Sequence, residues 1–243
     1  MKDRELFSNL TAIPPVFLRL DGRAFHRFTA RLELDWPYDA RFCTAMARTC
    51  CRLISESGLS PEFAYTFSDE INLYLAGLPF SGRVEKIDSV AASFAASALT
   101  IELASTVPLA FDARVVQVSP ALAVDYLADR QREAWRNHIN ASTQAALVED
   151  GLSPREAARR LKGMPSAAMH ELMYSRGINL AKTPAWQRRG VLAYKRERQI
   201  SGIDPRTGAA TSSTRSTVTV DREPPVFSSP EGQAFLSGLV GKE

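Results

Sequence analysis

The clearest pattern in the chain is an alternation of side chains over residues 63–75, interrupted once by a polar segment. Large aromatic residues alternate with small ones over residues 63–67, and aliphatic residues then alternate with Asn72 and Tyr74. A period of two predicts β-strands, and we expect the first of them to be half exposed. Residues 68–70 are polar and favour a tight turn, so the two strands form a predicted hairpin.

Two longer segments of the first half have helical periodicity. Apolar residues recur at intervals of three and four over residues 39–57 and 84–105, which predicts two helices with an apolar face. Short apolar runs at residues 16–20 and 115–118 predict two further strands. The resulting order, strand–helix–strand–strand–helix–strand, is that of a ferredoxin-like (βαββαβ) α+β sheet.

This order of elements also predicts where a site forms. The first strand would lie centrally, and we expect it to neighbour the strand that ends at Phe67. Two helices would cover one face of the sheet and leave the other face free for a site.

Beyond Pro120 the pattern changes to helical segments with a few β-like pieces. In chain order, the three predicted helices and two β-like pieces cover residues 121–150, 154–162, 166–174, 191–194 and 217–220. Residues 201–216 are rich in Gly, Ser, Thr and Arg, which favours a mobile loop. We therefore divide the chain into a catalytic domain, residues 1–120, and an α-rich extension, residues 121–243, that packs on it.

The composition is that of a globular protein with a sizeable core. Apolar residues make up 45% of the 243 residues and charged residues 23%, values that fit one domain with or without an elaboration. No apolar run of about 18 residues predicts a membrane span, and the charged residues 1–5 do not resemble a signal peptide. Cys43, Cys50 and Cys51 lack disulfide or metal-ligand spacing, so we expect reduced thiols and a cytoplasmic protein.

The net charge of +3 is too small to identify a nucleic-acid partner. Basic residues do cluster in the second half, at residues 188–189 and 195–198. From charge alone, a solvated surface and an RNA-facing patch are equally open.

Two carboxylates follow predicted strands and are expected to meet at one edge of the sheet. Asp21 ends the first strand, and Asp69 lies in the predicted hairpin turn. Two bare carboxylates held together repel each other unless a proton or a cation lies between them. Oxygen ligands suit Mg²⁺, which completes its shell with water and phosphate oxygens, and a pair of such ions promotes phosphoryl transfer. The pattern therefore predicts a metal-dependent site for a nucleotide.

The residues after the first strand fit a triphosphate. Gly22 has no side chain, so its carbonyl can approach a metal ion and its backbone can approach a phosphate. We expect the backbone N–H groups of residues 22–26 to face the phosphates, assisted by the side chains of Arg23 and His26.

The second predicted helix of the first half adds positive charge where a helix N-terminus already favours anions. Arg83 and Lys86 lie in its first turn. We expect them at the same edge of the sheet as Asp21 and Asp69.

Each of these features also has a plain structural explanation, and two other functions stay open. Asp21-Gly22 and residues 68–70 are common turn sequences, and the basic residues can simply be solvated. A palm-type nucleotide cyclase would use the same fold. A non-catalytic ferredoxin-like RNA-binding module would instead stack bases on Phe63, Tyr65 and Phe67.

Six motifs make the chain resemble one enzyme family. In chain order they are RLDGRAFHRF at residues 19–28, FSDEINLYL at 67–75, VAASFAAS at 90–97, FDARVV at 111–116, HIN at 138–140 and LKG at 161–163. Together they resemble the tRNA-His guanylyltransferase family and its Thg1-like relatives, enzymes that add nucleotides in the 3′-5′ direction. The first two motifs are specific as a pair, whereas HIN and LKG are weak individually.

The resemblance implies a polymerase-like palm that binds two Mg²⁺ ions. Asp21 and Asp69 would ligate both ions, and the Gly22 carbonyl would ligate one. Glu70 would be a further catalytic acid that supports the metal environment. The nucleoside triphosphate would contact Asp21, Gly22, Arg23, Ala24, Phe25, His26, Ser68, Asp69, Arg83 and Lys86.

The resemblance also implies a reaction and its partners. ATP or GTP would activate the 5′-monophosphate of a tRNA, and the 3′-hydroxyl of an incoming nucleotide would then attack the activated end. The expected activities are GTP addition to tRNA-His and template-dependent repair of 5′-truncated tRNA. The extension would carry the interface of a homo-oligomer, a dimer or tetramer, and RNA contacts at Arg130, Arg136, Lys162 and Arg215.

Two departures from the family pattern favour the Thg1-like branch. Residues 36–39 read WPYD where the family usually has a lysine, so a cationic contact to triphosphate is expected to be missing. Residues 141–144, after HIN, read ASTQ where the eukaryotic form reads NLYN. We therefore expect template-dependent repair rather than strict addition of one guanosine.

Overall fold

The computed structural model describes residues 4–203, 206 and 210–241, and for residues 26, 27, 30, 202, 203 and 211 it describes the backbone alone. The strands in these residues are β1 Val16–Gly22, β2 Phe63–Phe67, β3 Glu70–Leu75, β4 Phe111–Gln117, β5 Val191–Ile203 and β6 Ala210–Asp221. The α-helices are α1 Phe25–Arg31, α2 Ala40–Ser55, α3 Val84–Glu102, α4 Pro120–Glu149, α5 Pro154–Leu161, α6 Ser166–Tyr174, α7 Ala185–Arg189 and α8 Pro230–Val240. The predicted helices and the predicted hairpin of residues 63–75 are thus confirmed within a few residues.

The helices begin at the residues that the sequence predicts because local side chains cap them. Asp39 accepts a hydrogen bond from the Arg41 N–H at the start of α2. Ser119 caps α4, which has a proline in its first turn, and Ser153 forms a capping box with Glu156 at the start of α5. Each cap satisfies backbone N–H groups that have no partner inside the helix.

The six strands form one antiparallel sheet in the order β4-β1-β3-β2-β5-β6. The strand β1 therefore lies between β3 and β4, and the expectation that it neighbours the strand ending at Phe67 is wrong. The tight hairpin places β3 next to β1 and moves β2 one position outwards. Because β3 begins directly after the hairpin turn, that turn still lies beside the end of β1.

Both faces of the sheet are covered. On one face, Leu18 and Leu20 of β1 pack with α2 and α3, through side chains such as Met46 and Leu99. On the other face, Phe17, Tyr65 and Tyr74 pack with Leu127 of α4 and Leu236 of α8. The expectation of a free second face is therefore wrong for β2 and for most of β1 and β3, although the end of β1 near Asp21 is partly exposed.

The strand β2 is buried on both faces, which contradicts the half-exposed strand that its alternation predicts. All five of its residues are buried. Its aromatic rings face α4 and α8, while Ala64 and Thr66 face the opposite core. A large residue and a small residue can both be buried when each face of the sheet meets a helical layer.

Residues 201–203 and 210–216 form strands, which contradicts the mobile loop that the composition of residues 201–216 favours. These residues belong to β5 and β6, which pair from Leu192–Asp221 to Ile203–Ala210, and Arg206 lies in a turn. Ser, Thr and Gly favour turns when they act locally, but the hydrogen-bond ladder between two long strands outweighs that preference. The other positions of the predicted loop lie outside the described residues.

The buried side chain of Gln131 connects two segments of the second half of the chain. Gln131 of α4 donates to the Pro225 carbonyl at 3.0 Å and accepts from the Phe227 N–H at 2.7 Å. Phe227 is fully buried, so water cannot replace the amide as the partner of its N–H group.

We predict that Gln131→Ala lowers the free energy of unfolding by about 2–4 kcal/mol, because two backbone groups in this buried region would be left without a partner. Gln144→Ala is the matched control on the same helix, since its bond to the Pro154 carbonyl is solvent exposed. Its expected cost is below about 1 kcal/mol. Urea denaturation of both variants checks this, and equal losses would contradict it.

Candidate active site

The end of β1 brings three carboxylates onto neighbouring strands. Asp21 lies opposite Glu70 of β3 on one side and opposite Asp112 of β4 on the other. Residues directly opposite in a sheet have neighbouring side chains, so the three acids form one row at this edge.

The Asp69 turn touches the end of β1 through Gly22. The Gly22 N–H donates to the Asp69 carbonyl at 3.1 Å. A Cβ atom at residue 22 would lie 2.9 Å from Asp69 Cβ and 2.4 Å from the Phe25 ring, both closer than real Cβ contacts. The absence of a side chain is therefore what lets the hairpin turn and β1 meet, and the structure brings Asp69 into contact with Gly22, the residue after Asp21.

Arginines neutralise the Asp21 carboxylate. Its Oδ2 atom lies 3.0 Å from Arg114 Nη2 and 3.3 Å from Arg19 Nε. Arg114 also binds Asp112 Oδ1 at 2.7 Å. The carboxylate is about one third exposed, so the pairs hold it at the open edge of the sheet and not inside the core.

The Glu70 carboxylate is fixed by side chains of β3 and α4. Its Oε1 accepts from Asn72 Nδ2 at 2.8 Å, and its Oε2 lies 3.3 Å from Arg130 Nη1 of α4. The Tyr126 hydroxyl in turn donates to Asn72 Oδ1 at 2.6 Å, which fixes the amide. Burial raises the pKa of Glu70, while Asn72 and Arg130 partly oppose that shift. The carboxylate is thus oriented by three side chains.

A cavity of about 370 Å³ opens beside this edge. Gly22, Phe25, Ser68 and Asp69 line one side of it, and the chain before α2 and the start of α7 line the other. The second side is aromatic and contains Trp36, Tyr38 and Trp186. A cavity of this size and mixed polarity is typical of a site for a small molecule such as a nucleotide.

The HIN motif lies behind the aromatic wall of the cavity. The His138 ring is buried, stacks on Trp135 and lies 5.2 Å from the Tyr38 ring, centroid to centroid. Its Nε2 atom is 2.8 Å from the Thr183 hydroxyl. Burial first, and then the positive charge of Arg188, lowers the pKa of His138 to about 4. The His138 side chain therefore supports the cavity and does not line it.

The turn after β1 only partly matches its prediction. The N–H of Gly22 binds Asp69, and the N–H of Arg23 donates to the Ala110 carbonyl at 2.9 Å, so neither is available to a phosphate. Ala24 adopts a left-handed conformation (φ 58°) that begins α1, and Phe25 packs into the core. The side chain of His26 lies outside the described residues. The expectation that all N–H groups of residues 22–26 face the ligand is wrong because the first two join segments of the protein together.

Arg83 and Lys86 lie at the opposite end of the sheet from Asp21. Arg83 bridges to Thr11, in the segment that leads into the start of β1, and Lys86 lies 5.1 Å from the centre of the Phe80 ring. Asp21 lies near the other end of β1, whose seven residues span about 20 Å. Within one chain, Arg83 and Lys86 therefore do not lie at the same edge of the sheet as Asp21, and the expectation that they do is wrong.

The four residues expected to contact RNA are spread over the molecule. Arg130 faces Glu70, and Arg136 pairs with Glu133 on the surface of α4. Lys162 is exposed at the end of α5, and Arg215 is exposed on β6. Arg130 is thus part of the site itself, and the RNA contacts of the other three stay predictions.

Sequence reasoning missed the side chains that surround the two acids. Arg19 and Arg114 lie inside motifs that resemble the family, but their contact with Asp21 depends on the register of three strands. Asn72 and Tyr126 were missed for the same reason. The aromatic wall could have been suspected, since residues 36–39 are where the chain departs from the family pattern that it resembles.

Comparison with known proteins assigns the chain to a family. Residues 1–119 match the profile described as tRNAHis guanylyltransferase (Thg1), and residues 122–228 match the Thg1 C terminal domain. The chain belongs to the Thg1 family. The resemblance seen in the sequence motifs is confirmed, and the chain is a nucleotidyltransferase of this family, whose members add guanosine to the 5′ end of tRNA-His in the 3′-5′ direction.

Several relatives from eukaryotes are similar over most of the chain. A probable tRNA(His) guanylyltransferase of Dictyostelium discoideum is 29% identical, with 74% of this chain and 75% of the relative covered. The Mus musculus relative of the same description is 30% identical over 76% of this chain and 66% of its own length. The tRNA(His) guanylyltransferase of Schizosaccharomyces pombe is 27% identical over 78% and 77%.

Solved structures of Thg1-like proteins share the fold. A bacterial Thg1-like protein in complex with GTP has a TM-score of 0.77 at 23% identity and covers 100% of this chain and 97% of its own. The enzyme from Saccharomyces cerevisiae has a TM-score of 0.66 at 25% identity and covers 75% of this chain and 86% of its own. The mixed α/β architecture with an antiparallel sheet is therefore that of the family. In the described part of the chain, no helix has the length and apolar character that crossing a membrane requires.

We predict that Gly22→Ala lowers the free energy of unfolding by about 1–3 kcal/mol, because the new methyl group must displace the Phe25 ring or the Asp69 turn. Gly77→Ala is the matched control, since a Cβ atom there meets nothing within 4 Å. Thermal denaturation of both variants checks this. A Gly22→Ala protein as stable as the Gly77→Ala protein would show that the turn is not tightly packed on β1.

We predict that His138 makes stability fall as the pH decreases from about 6.5 to about 4. In that interval the unfolded chain binds a proton at His138 and the folded chain does not, which costs up to about 3 kcal/mol. Urea denaturation at about pH 7.5, 6 and 5 measures the effect. His138→Gln is expected to flatten this dependence, and an unchanged pH slope in that variant would contradict the assignment.

Proposed function

We propose that this protein adds nucleotides to the 5′ end of tRNA in the 3′-5′ direction. The substrates would be tRNA-His, 5′-truncated tRNAs that are repaired against a template, or both. One observation carries the proposal: the Asp21-Gly22 end of β1 touches the Asp69 turn beside a cavity of nucleotide size. Family membership and the GTP and ATP complexes of bacterial Thg1-like proteins support it.

The order of strands supports a polymerase-like palm. Within the larger sheet, β4-β1-β3-β2 is the order expected of a ferredoxin-like fold, and α2 and α3 both pack on the same face. In this interpretation residues 1–120 are the catalytic domain, and β5 and β6 extend its sheet from the second domain.

The residues at this edge fit Mg²⁺ in chemical type. Asp21, Asp69 and the Gly22 carbonyl offer only oxygen atoms from adjacent segments. Among the described residues, no group of three or more acid, His or Cys side chains is placed to hold a metal ion, so a bound ion would take the rest of its ligands from water and phosphate. Ions held by so few protein ligands keep positions open for phosphate oxygens. Two Mg²⁺ ions bound there would lower the pKa of the attacking hydroxyl and stabilise charge on the transferred phosphoryl group.

Binding of the ions would change the ion pairs between Asp21 and its neighbouring arginines. The row contains three carboxylates, from Asp21, Glu70 and Asp112, and three guanidinium groups, from Arg19, Arg114 and Arg130. A cation on Asp21 would weaken its pairs with Arg19 and Arg114. These two groups would then be available to hold phosphate oxygens of the nucleotide or of the RNA 5′ end.

Glu70 would act as a positioning acid. Asn72 and Arg130 hold both of its oxygens, so the carboxyl group stays next to Asp21, where its ionised form would favour cations at this edge. Both the activation step and the addition step displace a group at phosphorus, so one site would serve both.

The cavity would hold the incoming nucleotide, with Ser68, Phe25 and Ala24 near the sugar and phosphates. The aromatic side contains Trp36, which is 52% exposed and lies in the segment where the family usually has a lysine. An apolar wall accepts any base with little selectivity, which favours template-directed choice of the nucleotide over strict guanosine addition.

A non-catalytic RNA-binding module is disfavoured by the burial of β2. Phe63 and Tyr65 are fully buried and Phe67 is 8% exposed, so these rings cannot stack on RNA bases. For a cyclase, the expected product is a cyclic nucleotide formed without RNA, and none is expected here.

The direct test uses 5′-truncated tRNA with labelled nucleotides. We expect extension that requires Mg²⁺ and that stops when the metal is chelated. Changing the template base opposite the growing end should change which nucleotide is added. Addition of guanosine opposite every base would favour the strict tRNA-His activity, and cyclic product without RNA would favour the cyclase.

We predict that Asp21→Asn and Asp69→Asn each lower the rate of addition by at least about 100-fold, because each removes charge that holds the ions. Asp112→Asn is the matched control: it lies in the same row and pairs with Arg114, but it is not a proposed ligand. Its rate should stay within about tenfold of the wild-type rate. Extension by Asp21→Asn at the wild-type rate would overturn the site, and so would an equal decrease in all three variants. The homo-oligomer and the cytoplasmic location stay predictions.

A further inference from the structure

Two side chains of α4 meet two side chains of β3 next to the open edge of the sheet. Alternate residues of a strand point to one face, and residues four apart on a helix lie about one turn apart. Glu70 and Asn72 therefore share a face of β3, and Tyr126 and Arg130 share a face of α4. Hydrogen bonds and an ion pair join the two faces. We call these four residues the β3–α4 network.

The hydrogen bonds of this network run in one direction. The Tyr126 hydroxyl donates to Asn72 Oδ1 at 2.6 Å, and Asn72 Nδ2 donates to Glu70 Oε1 at 2.8 Å. An ionised carboxylate can only accept hydrogen bonds, so the amide must turn its NH₂ group towards Glu70. Its oxygen then faces Tyr126, which has a hydroxyl proton to donate. The hydroxyl thus selects one of the two orientations of the amide.

The Tyr126 hydroxyl is held in place and keeps its proton. The Tyr126 ring stacks on Phe17, with 4.5 Å between the ring centroids. Burial first, and then the charge of Glu70, raises the pKa of Tyr126 to about 12, so the hydroxyl remains a donor at neutral pH. Asn72 is fully buried, so water does not replace the hydroxyl as the partner of the amide oxygen.

Loss of the hydroxyl would reach Glu70 through the amide. Without a donor at Tyr126, the buried oxygen of Asn72 has no partner, and the preference for one amide orientation is lost. In the reversed orientation the amide oxygen would face the Glu70 carboxylate and repel it. Glu70 lies directly opposite Asp21 in the sheet, so its carboxylate would lose a contact that keeps it beside the proposed metal site.

We propose that Tyr126 is a positioning residue for nucleotide addition, and that its hydroxyl acts through the Asn72 amide on the Glu70 carboxylate. This inference rests on the proposed function, in which Glu70 supports the ions beside Asp21. Neither Tyr126 nor Asn72 is among the described residues that line the cavity. Their removal therefore changes the rate of the reaction and leaves the binding of the nucleotide unchanged.

The same core contains a matched control for a purely structural role. The Tyr65 hydroxyl donates to the Arg189 carbonyl at 2.8 Å, and Tyr65 is fully buried. Tyr126→Phe and Tyr65→Phe each keep the ring and remove one hydrogen bond from a hydroxyl to a protein oxygen. Only the Tyr126 hydroxyl is connected to Glu70 by a chain of hydrogen bonds.

The test measures kcat and KM for GTP in the extension of 5′-truncated tRNA at saturating Mg²⁺. It compares the wild-type protein with Tyr126→Phe, Tyr65→Phe and Asn72→Ser, and with the double variant Asn72→Ser/Tyr126→Phe. The double variant shows whether the hydroxyl acts through the amide or by another route. The thermal midpoint of every variant is measured in parallel.

We expect Tyr126→Phe to lower kcat about tenfold, as is typical for a residue that orients a side chain at a metal site. Its KM for GTP should stay within about twofold of the wild-type value. Tyr65→Phe should keep kcat within about twofold, although both substitutions lower the thermal midpoint by similar amounts. The double variant should be no more than about twofold slower than Asn72→Ser, because the amide that transmits the effect is already absent.

A wild-type kcat in Tyr126→Phe would overturn the inference, and so would an equal loss of kcat in Tyr65→Phe. If the losses from Asn72→Ser and Tyr126→Phe multiply in the double variant, the hydroxyl does not act through the amide and the inference is wrong. A raised KM for GTP at unchanged kcat would place Tyr126 in nucleotide binding instead. The proposed function fails separately, if the wild-type protein extends no tRNA at all.

Discussion

The end of β1 meets the hairpin between β2 and β3 only because residue 22 has no side chain. A single methyl group at that position would overlap the Phe25 ring and crowd Asp69. The hydrogen bond from the Gly22 N–H to the Asp69 carbonyl then joins two segments that are far apart in the sequence. The cavity, the row of acids and the start of α1 all depend on this contact, because it fixes where the hairpin turn lies relative to β1.

Charge at this edge is nearly balanced by the register of the sheet. Asp21 lies between Glu70 and Asp112, while α4 supplies Arg130 and β4 supplies Arg114 to offset them. A row of three acids without those partners would repel itself and raise the pKa of its members. The arginines offset this repulsion, and they lie close to the place where phosphates would bind.

The two halves of the chain contribute strands to opposite sides of one sheet. The first half supplies β1 to β4 and the acids, while the second half supplies α4, which supports Glu70 from behind, and β5 and β6, which extend the sheet. The packing of α4 and α8 against the sheet explains why the second half cannot be a loosely attached domain.

Features that depend on neighbouring residues could be predicted from the amino-acid sequence alone. The periods of two and of 3.6, together with the polar turn at residues 68–70, predict the hairpin and the main helices, and the motifs identify the family. Other features became known only from the packed molecule: which strands are neighbours, that β2 is buried on both faces, that residues 201–203 and 210–216 continue two strands, and that Arg83 and Lys86 lie far from Asp21. These features depend on contacts between segments that are distant in the chain, and the free energy of such contacts outweighs the local preferences that a sequence pattern records.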